Sequence, residues 1–484
     1  MFTLSMNSGI IPAQWKEAIV MPRHKSGSLY DVKNYRPISH TSVLSKMMER
    51  HVKSKTLEFL LTRNLVNNSQ HGFLNSRSCI TCHLEFLNHL VSSHDRGLSA
   101  IVIYLDMQKA FDRVPHSRLL AKLQTYGIKD PLLAWFSSYL SDRSQIVQIQ
   151  QHKSQPKAVT SGVVQGSVLG PLLFLLYVND VFSVVKCGTP YLFADDIKIV
   201  YSFHPTNLSN TLMEIQLDLH ELEAWCNTWK MSFNTDKCSA MLYRCNVKHN
   251  ALTLDSKPLT ICQTICDLGL RYSYSLNFSE QAFYATARAK QRIALLFKNL
   301  TLRDSICSMY ESFARPLLEY CSMVYSNSRK HDRIAIEKVQ RAFTKRLIGT
   351  SLVLPYSERC DLLKLDPIWL RRLKVNLALF FNILHKNVHT PSIDLSLMKP
   401  NGYNTRNREN SVMVRRSKTN ISANFFLNRY SRIWNKLPTD IRTSTSEYNF
   451  RRKLDEYLTV SNVIMLLRCP TTIQQTYEQG PDNI

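Results

Sequence analysis

Three aspartates in this sequence stand where a carboxylate is costly. Asp195 and Asp196 lie side by side in "YLFADDIKIV" (residues 191–200), between two apolar runs, 191–193 and 197–201. Both runs read as short strands meeting at a tight turn, since branched and aromatic side chains suit a pleated, half-buried surface. Asp106 closes a third apolar run, 101–105. Adjacent like charges repel, and a carboxylate at the end of a buried strand loses hydration unless a cation or hydrogen bonds compensate. A solvated Asp-Asp turn is the ordinary alternative, because Asp is a common turn residue. If the three acids share a site, hard oxygen ligands suit Mg²⁺, which proteins hold with one or two carboxylates plus substrate phosphates. Such a set suits two-metal phosphoryl transfer: one ion lowers the pKa of an attacking hydroxyl and the other stabilises a leaving pyrophosphate.

The elements that must position these acids are legible from periodicity. Val43, Leu44, Met47, Met48, Val52, Leu57, Leu60 and Leu61 recur at helical spacing after a basic, Pro-containing start. The segment 119–140 reads as helices broken at Gly127 and Pro131. "SQIVQIQQHKSQPKAVTSGVVQGS" reads as a hairpin and a Gly-containing loop that opens an apolar helix, "VLGPLLFLLYVNDVFSVV". Leu212, Ile215, Leu219, Leu222 and Trp225 form one face of an amphipathic helix over 208–230. Beyond about residue 280 the strand signal fades and basic helices take over. The stretch 391–416 is polar and irregular and reads as a loop or linker, with a last basic helical block after it.

Composition bounds the class. A chain of 484 residues is long enough for two or three domains, and with 44% hydrophobic residues it can bury a substantial core. Lys and Arg total 61 against 37 Asp and Glu, a net charge of +24 that points to nucleic acid as partner. Between residues 401 and 453 twelve Lys and Arg stand against three acids. Phe425, Phe426, Tyr430 and Trp434 are interleaved there; at helical spacing such rings are more often core than base-stacking platforms. The longest apolar run, 168–178, is broken by Gly170 and Pro171 and is too short to span a bilayer. No secretory leader is evident, and the 12 scattered cysteines suit reduced thiols, so the expected location is intracellular, nuclear or cytoplasmic. Cys79 and Cys82 are half of a zinc pattern whose second pair is missing, and structural zinc is not expected.

Ordered motifs sharpen the reading. "NYRPIS" (34–39), "YLDMQKAFDRVPH" (104–116), "SGVVQGSVLGPLLFLLYVND" (161–180), "LFADD" (192–196), "WKMSFNTDKC" (229–238) and "RPLLEYCSMVY" (315–325) stand in one chain, with "IWNKLP" (433–438) behind them. Their order and spacing resemble the reverse transcriptases of non-LTR retrotransposons, the jockey and CR1-like groups in particular. The similarity extends over nearly the whole chain. It implies an α+β right-hand polymerase of fingers, palm and thumb, followed by a basic, mainly helical C-terminal region. The expected boundaries are 1–275 for fingers and palm, 276–390 for a helical thumb and connection, and 391–484 for the extension.

The resemblance implies roles residue by residue. Asp106 and Asp195 match the principal metal ligands and Asp196 the third acid, holding two Mg²⁺ ions for which Mn²⁺ can substitute. Phe111 matches the bulky ring under the incoming sugar that excludes a 2′-hydroxyl; core packing is its plain alternative. Gln165 and Gly166 match the loop against the nascent base pair, where glycine permits close backbone approach. Lys25 and Arg36 match finger residues on the triphosphate, for which the Arg fork is well shaped. Lys237 matches a lysine near the pyrophosphate, suited to act as general acid. Gly269, in "DLGLRY", matches the turn that grips the primer.

The sequence also departs from the family. Val164 stands where proline usually precedes the Gln-Gly pair, freeing φ in that loop, and Gln108 replaces a small Ser. Both put catalytic efficiency in question. Full elements carry an endonuclease upstream, so the sequence reads as a 5′-truncated copy that lacks this domain and the start of the fingers, with an endonuclease supplied in trans. Two functions stay open: an RNA-directed DNA polymerase using an RNA template, a DNA primer and dNTPs, and a catalytically silent nucleic-acid-binding remnant. A membrane-surface protein would explain the charge and none of the motifs.

Overall fold

The apolar run that ends at Asp106 lies in a strand, Ser99–Asp106, buried along its length up to Asp106 itself. In this computed structural model, which describes residues 1–247, 251–327, 329–349, 354–395, 410–459 and 462, the chain divides into two units. One comprises Met1–Cys82 and Ala100–Ile261, the other His83–Ser99 and Cys262–Ile484.

The strands of the first unit are β1 (Glu17–His24), β2 (Tyr35–Thr41), β3 (Ser99–Asp106), β4 (Arg143–Ile149), the short β5 (His152–Lys153) and β6 (Lys157–Val159), β7 (Thr189–Phe193), β8 (Asp196–Phe203), β9 (Ser239–Tyr243), β10 (Thr253–Leu254), β11 (Lys257–Pro258) and β12 (Thr260–Ile261). They form two five-stranded sheets and a small hairpin. One sheet has the order β2-β1-β4-β5 with β6 also on β4; the other runs β12-β9-β3-β8-β7. β3 is central in the second sheet and covered on both faces, which is why it reads as a continuous apolar run rather than an alternating one.

Helices cover these sheets where periodicity placed them: Val43–Thr62, His116–Thr125, Leu132–Leu140, Gly170–Val178 and Leu208–Trp229. Gly170–Val178 is buried at every residue except Pro171, as expected for a helix apolar all round. Leu208–Trp229 buries Ile215, Leu219, Leu222 and Trp225, and also Asp218 on the same face. That carboxylate is satisfied: it accepts from the backbone N–H of Lys186, Cys187 and Gly188 and from the Tyr201 hydroxyl.

The second unit has one hairpin, β13 (Thr264–Asp267) and β14 (Leu270–Ser273), and its other described elements are helical. The main helices are Ser279–Asn299, Lys330–Ile348, Ile368–Leu384, Phe426–Trp434 and Glu447–Tyr457. Phe425, Phe426, Tyr430 and Trp434 are all buried, and the Trp434 ring lies 5.5 Å from those of Phe380 and Phe450. These aromatics are core, and base stacking is not open to them. Of the irregular stretch 391–416, residues 396–409 lie outside the described residues, as do 460–461 and 463–484 of the basic extension. Among the described residues no helix is long and apolar enough to cross a membrane.

Candidate active site

β7 and β8 pair with Phe193 opposite Asp196, leaving Ala194 and Asp195 as a two-residue loop. Ala194 has φ +60°, in the left-handed region that favours glycine. Glycine takes this conformation at no cost, whereas alanine loses roughly 1–2 kcal/mol. Asp195 therefore sits on a strained turn beside the end of β3, where Asp106 stands.

Asp106 and Asp195 line one cleft of about 840 Å³, together with Lys25, Arg36, Phe111, Gln165 and Lys237. These residues come from distant parts of the chain. Arg36 lies on β2 and pairs with Arg23 on β1; Lys25 follows β1, its N–H bonded to Asn34 O at 2.7 Å. Lys237 Nζ stands 3.0 Å from Asp106 Oδ2. The segment that brings it there is tied to the end of β3: Asn234 N donates to Asp106 O at 2.8 Å and Gln108 N to Ser232 O at 2.9 Å. Burial pushes the Asp195 carboxyl above the usual carboxylate range and the Asp106 charge adds to this, while its own backbone N–H, Lys25 and Arg36 oppose it.

Phe111 packs against the core and also reaches the cleft. Its ring stacks on Phe174 (centroids 4.6 Å, planes 17° apart) and meets Phe73 edge-on at 6.1 Å, and it lines the cleft. Gln165 also lines the cleft, and its carbonyl accepts from Ser39 N at 2.7 Å. Gly166 is not in the cleft wall. Its φ is +112°, and a Cβ there would stand 2.4 Å from Ser39 O, so the backbone it approaches closely is that of β2.

Two further predicted residues stand outside the cleft wall. Asp196 is exposed at the start of β8 and does not line the cleft. Gly269 belongs to the second unit, in the β13–β14 turn, where Tyr320 OH donates to Leu268 O at 2.5 Å. The departures prove local. Gln108 Oε1 accepts from Arg113 Nη2 at 2.9 Å outside the cleft wall, and Val164 O accepts from Ser167 N and Oγ, which closes the loop that proline would have stiffened.

Sequence reasoning missed the buried polar groups that hold this geometry. Glu49 Oε2 accepts from Val168 N (2.8 Å) and Leu169 N (3.0 Å), fixing the chain just after Gly166. Gln70 Oε1 accepts from Ala194 N at 2.9 Å. Neither leaves a periodic trace, and both stand among other polar and charged residues, in "SKMMERHV" and "SQHGFL".

The donor set fits a hard divalent cation. Two carboxylates face one cleft, and a cation there would offset both the burial that chiefly raises Asp195 and the lesser repulsion from Asp106. Among the described residues no group of three or more His, Cys, Asp or Glu is arranged to hold a metal. The protein would thus contribute Asp106 and Asp195, with substrate phosphates and water completing the shell, as is usual for Mg²⁺.

Comparison with known proteins decides the class. The profile of the family described as reverse transcriptase (RNA-dependent DNA polymerase) matches residues 23–278, more than half of the chain. This chain is a member of the reverse transcriptase family. The chain is 29% identical over 353 residues to the probable RNA-directed DNA polymerase from transposon BS of Drosophila melanogaster, covering 68% of this chain and 38% of that protein. It is 25% identical over 364 residues to the RNA-directed DNA polymerase from mobile element jockey of the same organism, covering 72% and 39%. The chain thus spans well under half the length of the curated relatives it matches. Among solved structures it is similar to apo telomerase from Candida tropicalis, with a TM-score of 0.42 and 13% identity over 79% of this chain and 63% of that one. The α+β right-hand polymerase class expected from the motifs is that of the family.

Proposed function

We propose that this reverse transcriptase is an RNA-directed DNA polymerase of a non-LTR retrotransposon that adds dNTPs to a primer 3′-hydroxyl. One observation carries the reading: Asp106, Asp195, Lys25, Arg36, Phe111, Gln165 and Lys237 line a single cleft. In this reading residues 1–275 act as fingers and palm, 276–390 as thumb and connection, and 391–484 as a basic extension.

Asp106 and Asp195 would hold two Mg²⁺ ions, with Asp196 as an outer acid. When bound, the ions supply an acidified primer hydroxyl and charge stabilisation on the leaving pyrophosphate. Lys25 and Arg36 grip the triphosphate, Arg36 through its planar fork of donors. Gln165 supports the nascent base pair, with Gly166 letting the loop lie against β2. Phe111 stacks beneath the sugar and excludes a 2′-hydroxyl. Lys237 leaves Asp106 as the triphosphate arrives and donates its proton to the departing pyrophosphate oxygen. Gly269 contributes to the primer grip. The net charge of +24 suits an RNA template paired with a DNA primer, held largely through phosphates.

The test is primer extension on poly(rA) with Mg²⁺ and dTTP, wild type beside Asp195→Ala. Extension by the wild type alone supports the reading. Binding by both proteins with extension by neither supports the second reading, a silent nucleic-acid-binding remnant, which the position of Asp196 outside the cleft favours.

A further inference from the structure

The turn that carries Asp195 is held from outside its own hairpin. β7 is the last strand of its sheet, and the stretch 69–72 runs along its free edge. Leu192 N donates to Ser69 O at 2.9 Å, and His71 N donates to Leu192 O at 2.8 Å. Between these bonds the wholly buried Gln70 side chain reaches the hairpin tip. Its Oε1 accepts from Ala194 N at 2.9 Å and from Gly72 N at 2.8 Å. Two N–H donors on one atom settle which end of the amide is oxygen.

Packing alone does not account for an amide here. Gln70 Nε2 is buried with no hydrogen-bond partner among the described residues, whereas an apolar residue of similar volume would bury no unpaired donor. The approach is also tight: a Cβ on Gly72 would stand 2.4 Å from Ala194 N. Arg77 Nη1 fixes the stretch from behind, donating to Asn67 O at 2.8 Å and Gln70 O at 2.6 Å. The residue captured by Gln70 is the strained one, Ala194 at φ +60°. Strained backbone of this kind persists where the surroundings over-determine it.

We infer that Gln70 is a positioning residue for Asp195: its carboxamide oxygen locks Ala194 in the left-handed conformation and so keeps the next carboxylate in the Asp106 cleft. The catalytic consequence rests on the polymerase reading; the bond itself does not. Gln70→Met removes the acceptor at nearly constant volume. Gln70→Glu keeps an acceptor oxygen for both N–H groups and adds a buried carboxyl near Asp195.

The experiment compares the full chain with both variants by amide hydrogen exchange over residues 192–197 and by primer extension on poly(rA). In Gln70→Met the Ala194 amide is expected to exchange about tenfold faster or more, the loss of one buried hydrogen bond. Extension is expected to fall about 10²-fold in kcat with KM for dTTP little changed, the cost of a misplaced group. Gln70→Glu should retain Ala194 protection and recover most of the extension, with the acid limb of its pH–rate profile moved upward. Wild-type exchange at Ala194 in Gln70→Met, or equal loss of protection in both variants, overturns the inference. If Gln70→Met loses its fold, Gln70→Glu decides: a protected Ala194 supports the assignment and a fast one refutes it. If the wild type extends no primer, the polymerase reading fails and exchange at Ala194 alone judges Gln70.

Discussion

Lys237 Nζ and Asp106 Oδ2 are 3.0 Å apart, an ion pair at the mouth of the cleft that couples a proposed proton donor to a proposed metal ligand. The two side chains are 54% and 29% exposed, so the pair contributes at most about 1 kcal/mol to stability. Lys237→Met should leave the melting temperature nearly unchanged and lower kcat for extension by about 10²–10⁴-fold, the usual weight of a general acid. A fall in kcat with KM for dTTP little altered is the signature to measure. A drop in affinity alone would assign Lys237 to binding.

Asp195 yields a prediction about stability and pH. Its carboxyl is raised in the folded protein, chiefly by burial and then by Asp106. The folded state therefore binds this proton more tightly than the unfolded chain does. The destabilising effect is fully present above the folded pKa and fades as pH falls through it toward the unfolded value. Asp195→Asn should melt at a higher temperature than the wild type at neutral pH without metal. The difference should shrink in acid, while extension is lost at every pH.

Metal should reverse that order. If Asp106 and Asp195 hold Mg²⁺, wild type at ten times the dissociation constant gains about 1.4 kcal/mol by mass action. Asp195→Asn should gain little. Thermal melts with and without Mg²⁺ measure the difference, and chelation should abolish extension. Equal gains in both proteins would move the metal away from this cleft.

Phe111 packs on Phe174 and is proposed to discriminate sugars, and one substitution tests the two roles separately. Phe111→Val removes the stack on Phe174, worth about 0.5–1.5 kcal/mol beyond the lost burial. It should also raise incorporation of rUTP relative to dUTP if the ring excludes the 2′-hydroxyl. Lower stability with unchanged sugar discrimination would leave Phe111 a packing residue.

Gly166→Ala tests the loop. The new Cβ would stand 2.4 Å from Ser39 O on a residue at φ +112°, so the loop must move. A loss of roughly 1–3 kcal/mol, read from urea unfolding, is expected, together with weaker dNTP binding through Gln165. Val164→Pro probes the same loop from its other side.

Much of this protein is legible in one dimension. Short runs of apolar, branched and aromatic residues around Asp195 and the unbroken apolar run before Asp106 mark strands, and Gly170–Val178 marks a buried helix, because local sterics and solvent set those patterns. Motif order marks the family, and the cation excess supports the proposal of a polyanionic partner. Tertiary structure alone decided which acids meet. Composition does not distinguish Asp195 from Asp196, and only the family resemblance ranks them; the two-residue loop turns Asp195 into the cleft and leaves Asp196 exposed on β8. Gly166 likewise proved to serve the approach to Ser39, a contact between residues far apart in the chain. The supports at Glu49 and Gln70 could not be read at all. Each is a single buried polar side chain whose oxygen accepts from backbone N–H donors more than a hundred positions away, and neither pairing follows any period. Short-range chemistry writes the elements into the sequence; only folding brings a side chain to the one turn it must hold.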